Sequence, residues 1–210
     1  MKNRMSWRLI LNCITAFIVA ANISSCKDDD ENAGNNEVDQ ACVILNQGNY
    51  SEANGSVSIL DKDGKVSNHL YDDANGYPLA STIESGLIHN GKLILICGNE
   101  DKIEIVDANN FKRISTIKGI VTPRYGAVLD NYLYVTSVPD WSQQSGLIYK
   151  IDLASSEIDT SIAIEGQPEG IINHDGMIVV AAGSSAATVQ IGRDNGYSHT
   201  FFLNCIFSGN

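Results

Sequence analysis

The chain has no G-x-S-x-G elbow, no H-E-x-x-H helix, no C-x-x-C pair, no phosphate-cradling loop and no dinucleotide fingerprint. These absences remove the commonest hydrolase, metalloprotease, thiol-redox and nucleotide-dependent chemistries, and the chain is read as a non-enzyme without a cofactor. The four histidines (His69, His89, His174, His199) are scattered; His89 and His174 sit at or near hairpin turns, where a polar side chain is expected. Asp61-Lys62-Asp63-Gly64 starts like a calcium loop but lacks the spacing and the closing Glu, so it is read as a turn. Basic residues are few: 14 Lys and Arg stand against 25 Asp and Glu, a net charge of −11. A nucleic acid or an anionic membrane surface needs a basic patch, so neither is expected as a partner. Long hydrophobic runs are missing too. The apolar stretch Leu9–Ala21 has 13 residues, short of the ~20 that span a bilayer as a helix.

That short stretch follows Lys2, Arg4 and Arg8 and reads as a secretory signal over residues 1–25. It ends in Ile23-Ser24-Ser25-Cys26, which resembles a bacterial lipobox. Two small residues admit the scissile bond to a narrow peptidase cleft, and the Cys26 thiol accepts the lipid. Two or more acyl chains then anchor stably. Lys27-Asp28-Asp29-Asp30-Glu31 follows. This run resembles the surface-export signal of some Gram-negative lipoproteins; a periplasm-facing tether is the alternative. Residues 26–40 are read as an acidic, disordered tether. Past the signal, 11 basic residues face 25 acidic ones. Membrane contact is thus expected only through the anchor, at the outer membrane. Cys13 falls in the signal, and Cys42, Cys97 and Cys205 cannot all pair within one molecule. Cys42 and Cys97 lie in apolar strand runs and are read as buried free thiols, with a Cys42–Cys97 disulfide as the lesser alternative.

A repeat organises the rest. Gly55-Ser-Val-Ser-Ile-Leu-Asp61, Lys102-Ile-Glu-Ile-Val-Asp107 and Gly146-Leu-Ile-Tyr-Lys-Ile-Asp152 are alternating apolar runs, and their closing aspartates lie 46 and 45 residues apart. Between them recurs a two-strand unit: Gly86–Ile96 with Asn90-Gly91 at its centre, Gly126–Val135 with Asp130-Asn131, and Gly170–Val180 with Asp175-Gly176. A period of roughly 40–50 residues built of short strands indicates an all-β fold, a β-propeller of four-stranded antiparallel blades. The partial propeller covers residues 41–204, about four blades. The first blade opens on a second strand (Cys42–Asn49) and lacks an innermost one. In the fourth, Ala187–Ile191 and Tyr197–Asn204 are the third and fourth strands, but Gly192 stands where the repeat has Asp. The tail, 205–210, offers no closing strand. Two readings stand: a four-bladed ring, or, favoured, the first part of a longer propeller.

The turns that lead into each innermost strand carry Glu84, Arg124-Tyr125 and Glu169. Recurring at the blade period, they are expected to ring one mouth of the central channel. There Arg124 and Tyr125 would offer a polar edge and an aromatic face, or the charged residues would pair among themselves. Tyr50, Tyr77 and Trp141 occupy other loops, and Trp141 lies in an insertion of the third blade. An exposed Trp beside Asp140, Gln143 and Gln144 suits a planar ligand or a sugar.

Leu45–Asn49, Gly55–Ile59, Ala74–Leu79, Asn99–Asp107, Thr122–Gly126 and Gly166–Gly170 together resemble the YncE-like seven-bladed propellers, in their surface-lipoprotein branch of unknown function. The likeness covers about residues 42–192. It is similar to cobalamin-capturing surface lipoproteins that sit over an outer-membrane cobalamin transporter. The resemblance implies a binding module for a small molecule, a corrinoid first, with that transporter as partner. An interaction platform within an outer-membrane complex and a propeller lyase or dehydrogenase are the alternatives. About three blades and a closing strand of the seven-bladed pattern are missing.

Overall fold

The computed structural model describes residues 40–183, 187–191 and 197–202. The expected signal peptide, Cys26 and the rest of the expected tether to residue 39, Gly192 and the tail lie outside them; Gln40 opens the first strand. Four antiparallel sheets follow one another along the chain, each a plain meander. Blade 1 holds β1 (Gln40–Asn46), β2 (Ser56–Asp61) and β3 (Val66–Ser67), and helix α1 (Leu70–Asn75) comes next. Blade 2 is β4 (Ser85–His89), β5 (Lys92–Cys97), β6 (Lys102–Asp107) and β7 (Arg113–Lys118). Blade 3 is β8 (Pro123–Leu129), β9 (Tyr132–Ser137), β10 (Ser145–Asp152) and β11 (Glu157–Glu165). Blade 4 is β12 (Pro168–His174), β13 (Met177–Ala182), β14 (Ala187–Ile191) and β15 (Tyr197–Phe202). The fold is the all-β propeller architecture, its sheets not closed into a ring. Blade 1 has three strands among the described residues and begins with a second strand, as the repeat implies.

Turn chemistry explains the meander. Asn90 and Gly91 have φ of 48° and 70°, and Asp175 and Gly176 have 50° and 77°. Those are the left-handed angles of a two-residue hairpin whose twist matches its strands. The repeated Asp closes the other hairpin. Oδ1 of Asp107 accepts the backbone N–H of Asn109 (2.8 Å) and Asn110 (3.3 Å). Asp152 does the same for Ala154 (2.7 Å) and Ser155 (3.3 Å). Asp61 serves Asp63 (3.0 Å) and Lys65 (2.8 Å). A carboxylate that satisfies two turn amides initiates the turn, and this is why the period is marked by Asp. Asp61–Gly64 is accordingly a turn.

The core lies between the blades. In β5, Leu93, Leu95 and Cys97 face blade 1, whereas Ile94 and Ile96 pack on blade 3 with Leu133, Val135 and Ile151. Both faces of a central strand are thus buried, which is why such strands read as continuous apolar runs. Blades 3 and 4 meet through Tyr134, Ile148, Ile171, Ile178 and Val180.

One expectation needs correction. Cys97 is a buried free thiol, and burial pushes its pKa up to about 12, but Cys42 is exposed. Val43 and Leu45 pack towards blade 2, so strand alternation turns Cys42 to the opposite face. Helix α1 has no counterpart in the repeat. Tertiary contacts hold it: Tyr71 is fully buried, Asn75 Nδ2 donates to the Phe111 carbonyl (2.9 Å), and its Oδ1 accepts the Arg113 N–H (2.9 Å). Gly76 ends it at φ 78°, its N–H bonded to the Asp72 carbonyl.

Candidate functional site

Loops that join second to third strands, and loops that lead into innermost strands, emerge at the same end of each blade. Three blades of them enclose a groove of about 850 Å³. Gln47, Asn49 and Tyr50 come from blade 1, Thr82, Glu84, Asn99 and Asp101 from blade 2, and Thr122, Arg124 and Trp141 from blade 3. Backbone bonds fix the walls. The Gly55 N–H donates to the Ala80 carbonyl (2.9 Å), Ile83 N–H to the Gln47 carbonyl (2.9 Å) and Glu84 N–H to the Ile96 carbonyl (2.8 Å). Gly48, at φ +84°, sits where a Cβ would lie 2.2 Å from the Ser81 carbonyl oxygen, so no other residue fits without moving the wall.

Arg124 is the floor's central group. Its Nη1 lies 2.6 Å from Oε2 of Glu84, and its Nε lies 3.1 Å from Oε2 of Glu169. The lead-in positions of three successive blades therefore meet through one guanidinium. Gly98 makes room for this: a Cβ there would lie 2.6 Å from Cγ of Glu84. Trp141 covers the guanidinium at 5.2 Å, and Tyr125 flanks it at 6.0 Å. The Trp141 loop is tied down on both sides. Gln167 Nε2 donates to the carbonyls of Trp141 (2.8 Å) and Gln143 (2.9 Å). The Asp140 carboxylate accepts from Ser142 N–H (2.9 Å) and Oγ (2.7 Å), and these bonds hold its pKa below the usual carboxylate range.

Of the candidate ligand-binding residues, Tyr50, Glu84, Arg124 and Trp141 line the groove. Glu169 and Tyr125 stand behind and beside Arg124. Tyr77 does not join them. It packs edge-on against Tyr71 (centroids 5.7 Å apart) and under Arg113 (5.7 Å), beside α1. The pairing alternative for the charged residues is what the geometry realises. Thr82, Asn99, Asp101 and Thr122 were not picked out by residue type. One signal pointed at Asn99: Gly48-Asn49 and Gly98-Asn99 recur after the second strands of blades 1 and 2.

The family described as "Domain of unknown function (DUF5074)" matches residues 40–197. Among curated proteins none matches the chain in sequence. Solved structures resemble it in fold. The dihydro-heme d1 dehydrogenase NirN is 14% identical with a TM-score of 0.54, over 76% of this chain and 34% of that one. A streptogramin B lyase is 16% identical with a TM-score of 0.51, over 71% and 48%. BamB from Moraxella catarrhalis is 16% identical with a TM-score of 0.50, over 76% and 44%. The chain therefore spans less than half the length of each of these three.

Proposed function

The chain belongs to the DUF5074 family, and from that premise we propose that it is a binding module which captures a small molecule at the mouth of its blades. The carrying observation is the groove of about 850 Å³ between loops of three blades. Its size suits a small organic ligand, and Glu84 and Arg124 in its lining hold positions that recur at the blade period. The ligand leaves chemically unchanged, in keeping with a sequence that carries none of the usual catalytic motifs. Cys26 holds the module to the outer membrane by its lipid, facing the cell surface, and the captured nutrient passes to an outer-membrane transporter. The resemblance to cobalamin-capturing propellers makes a corrinoid the first ligand to try.

Calorimetric titration of the purified full chain with cyanocobalamin tests this. Saturable heat at micromolar ligand, with the affinity about tenfold weaker in Trp141→Ala, is the expected result. No heat removes the corrinoid.

A second reading is an interaction platform. It is favoured by Tyr50 and Trp141, 76% and 51% exposed on the rim, since exposed aromatics are typical anchors of protein interfaces. Capture of a folded protein partner that Tyr50→Ser abolishes, with no small-molecule heat, would replace the first reading.

A further inference from the structure

We propose that the groove takes a neutral ligand fringed with hydroxyls or carboxamides, stacked on the indole of Trp141, and that Arg124 positions this indole instead of receiving an anion. The inference rests on the capture reading and deepens it.

The charge distribution comes first. Arg124 is the one cationic side chain among the lining residues, against the carboxylates of Glu84 and Asp101. Behind it, Glu169 engages the same guanidinium through Nε (3.1 Å) and Nη2 (3.4 Å). Three of its nitrogens thus already face carboxylate oxygens. Arg124 and Glu84 side chains are mostly buried, at 18% and 14% exposure. An incoming phosphate or carboxylate would have to break that pair and leave Glu84 desolvated and unpaired, a strongly unfavourable exchange. With Asp101 also in the wall, the groove repels anions.

The rest of the lining is neutral and hydrogen-bonding. Gln47, Asn49 and Asn99 bring carboxamides, and Thr82 and Thr122 bring hydroxyls. Such groups recognise other neutral donors and acceptors. Trp141 supplies the flat apolar surface. It rests on Arg124 at 5.2 Å and keeps half of its surface exposed. Its backbone carbonyl is held by Gln167 from the neighbouring blade. The indole is therefore fixed from beneath by a cation–π contact and from the side by its main chain, a preordered platform for the C–H face of a sugar ring or another flat neutral body.

The test uses the full chain carrying Trp7→Phe, which leaves Trp141 as the only tryptophan of the original two. Calorimetry is run with maltotriose, cyanocobalamin, inorganic phosphate and choline, and acrylamide quenching of Trp141 reports its pose. The expected result is binding of at least one neutral probe and none of phosphate or choline. Trp141→Ala should weaken the neutral probe by about tenfold, the value of one stacking contact near 1.4 kcal/mol. Arg124→Gln should weaken it similarly and raise the quenching of the unliganded chain, while Arg124→Lys restores part of both. A merely structural arginine would not move the quenching in a folded variant.

Phosphate binding that Arg124→Gln abolishes would overturn the proposal, as would choline binding tighter than either neutral probe. So would a neutral probe whose affinity stays within about twofold in Trp141→Ala. Heat from phosphate or choline alone sinks this inference and leaves the capture reading standing; silence from all four probes sinks both.

Discussion

The interfaces on the two sides of blade 2 are built on different chemistry. Between blades 2 and 3 every buried member of the cluster is Ile, Leu or Val. Between blades 1 and 2 the cluster includes Tyr71, Cys97 and Phe111, and β6 adds buried Glu104. Glu104 Oε1 accepts from Lys102 Nζ (3.0 Å), and its Oε2 accepts from Thr116 Oγ1 (2.8 Å). Lys102 Nζ also donates to the Leu79 carbonyl (2.7 Å). The cause lies in blade 1, whose last strand has two residues. Helix α1 and the segment behind it come in to cover blade 2, and they bring backbone carbonyls and phenols that want partners. The buried cluster where blade 2 meets blade 3 is apolar packing throughout; where the repeat is interrupted, polar groups enter the buried interface and must be satisfied one by one.

The most damaging single change is expected in the aliphatic interface. Leu133 is fully buried between blades 2 and 3, in a cluster of Ile, Leu and Val. Leu133→Ala should cost about 2–5 kcal/mol in urea unfolding. A loss under about 1 kcal/mol would mean that the blades slide together to fill the gap, and the contrast between the interfaces would fail. Next is Glu104→Ala. It leaves Lys102 with the Leu79 carbonyl and strands the Thr116 hydroxyl, for a cost of about 1–3 kcal/mol. Glu104→Gln should recover part of it, because an amide oxygen still accepts. If Glu104→Ala proved neutral, the ion pair would be an ornament of the polar interface.

The aliphatic half was the more legible in sequence. Period-2 apolar runs and the Asn90-Gly91 and Asp175-Gly176 turns belong to local chemistry, and the strands lie where those signals place them. The ring of Glu84, Arg124 and Glu169 was legible for the same reason: equivalent positions in successive blades must converge. What escaped depends on contacts between distant segments. Helix α1 is six residues long and without side-chain capping at its start; it exists because Asn75 reaches β7 and Tyr71 fills the interface. Cys42 was misplaced because an apolar run does not reveal which face its first residue takes. The position of Tyr77 was not legible, because a connecting loop can run along the blade's flank or its mouth, and only packing against Tyr71 decides. Trp141 on Arg124 joins residues 17 apart in sequence through an insertion that no repeat position predicts.

Alkaline pH should separate the interfaces. Burial raises the Cys97 pKa to about 12, whereas an unfolded Cys titrates near 8.5. Between those values the unfolded chain has lost a proton that the folded chain keeps, so stability is full below about pH 8.5 and falls as pH rises. The slope from this group approaches about 1.4 kcal/mol per pH unit. Exposed Cys42 should react with a thiol reagent at once, and Cys97 only on opening. Cys97 labelling that speeds up from pH 8.5 to 10 without loss of near-UV signal from the rest of the chain would place the opening at blades 1 and 2. Labelling of both thiols at one rate would abolish the distinction.

The smallest effect expected is that of Tyr71→Phe. Burial first, then the Tyr77 hydrogen bond and the nearby Glu104 charge, push the Tyr71 phenol well above its ordinary pKa. The hydroxyl donates to the Tyr77 oxygen at 3.2 Å. Removing it deletes that one bond and leaves ring packing intact, so the cost should be about 0.5–1.5 kcal/mol. Tyr77 is 39% exposed, and water can replace the lost donor, which favours the low end of that range. The variant should also unfold less steeply above pH 10, because the unfolded phenol that would have shed its proton there is gone. A cost as large as that of Leu133→Ala would show that the polar interface is cooperative, with Tyr71, Tyr77 and Glu104 acting as one network. The two interfaces would then differ in chemistry but not in strength.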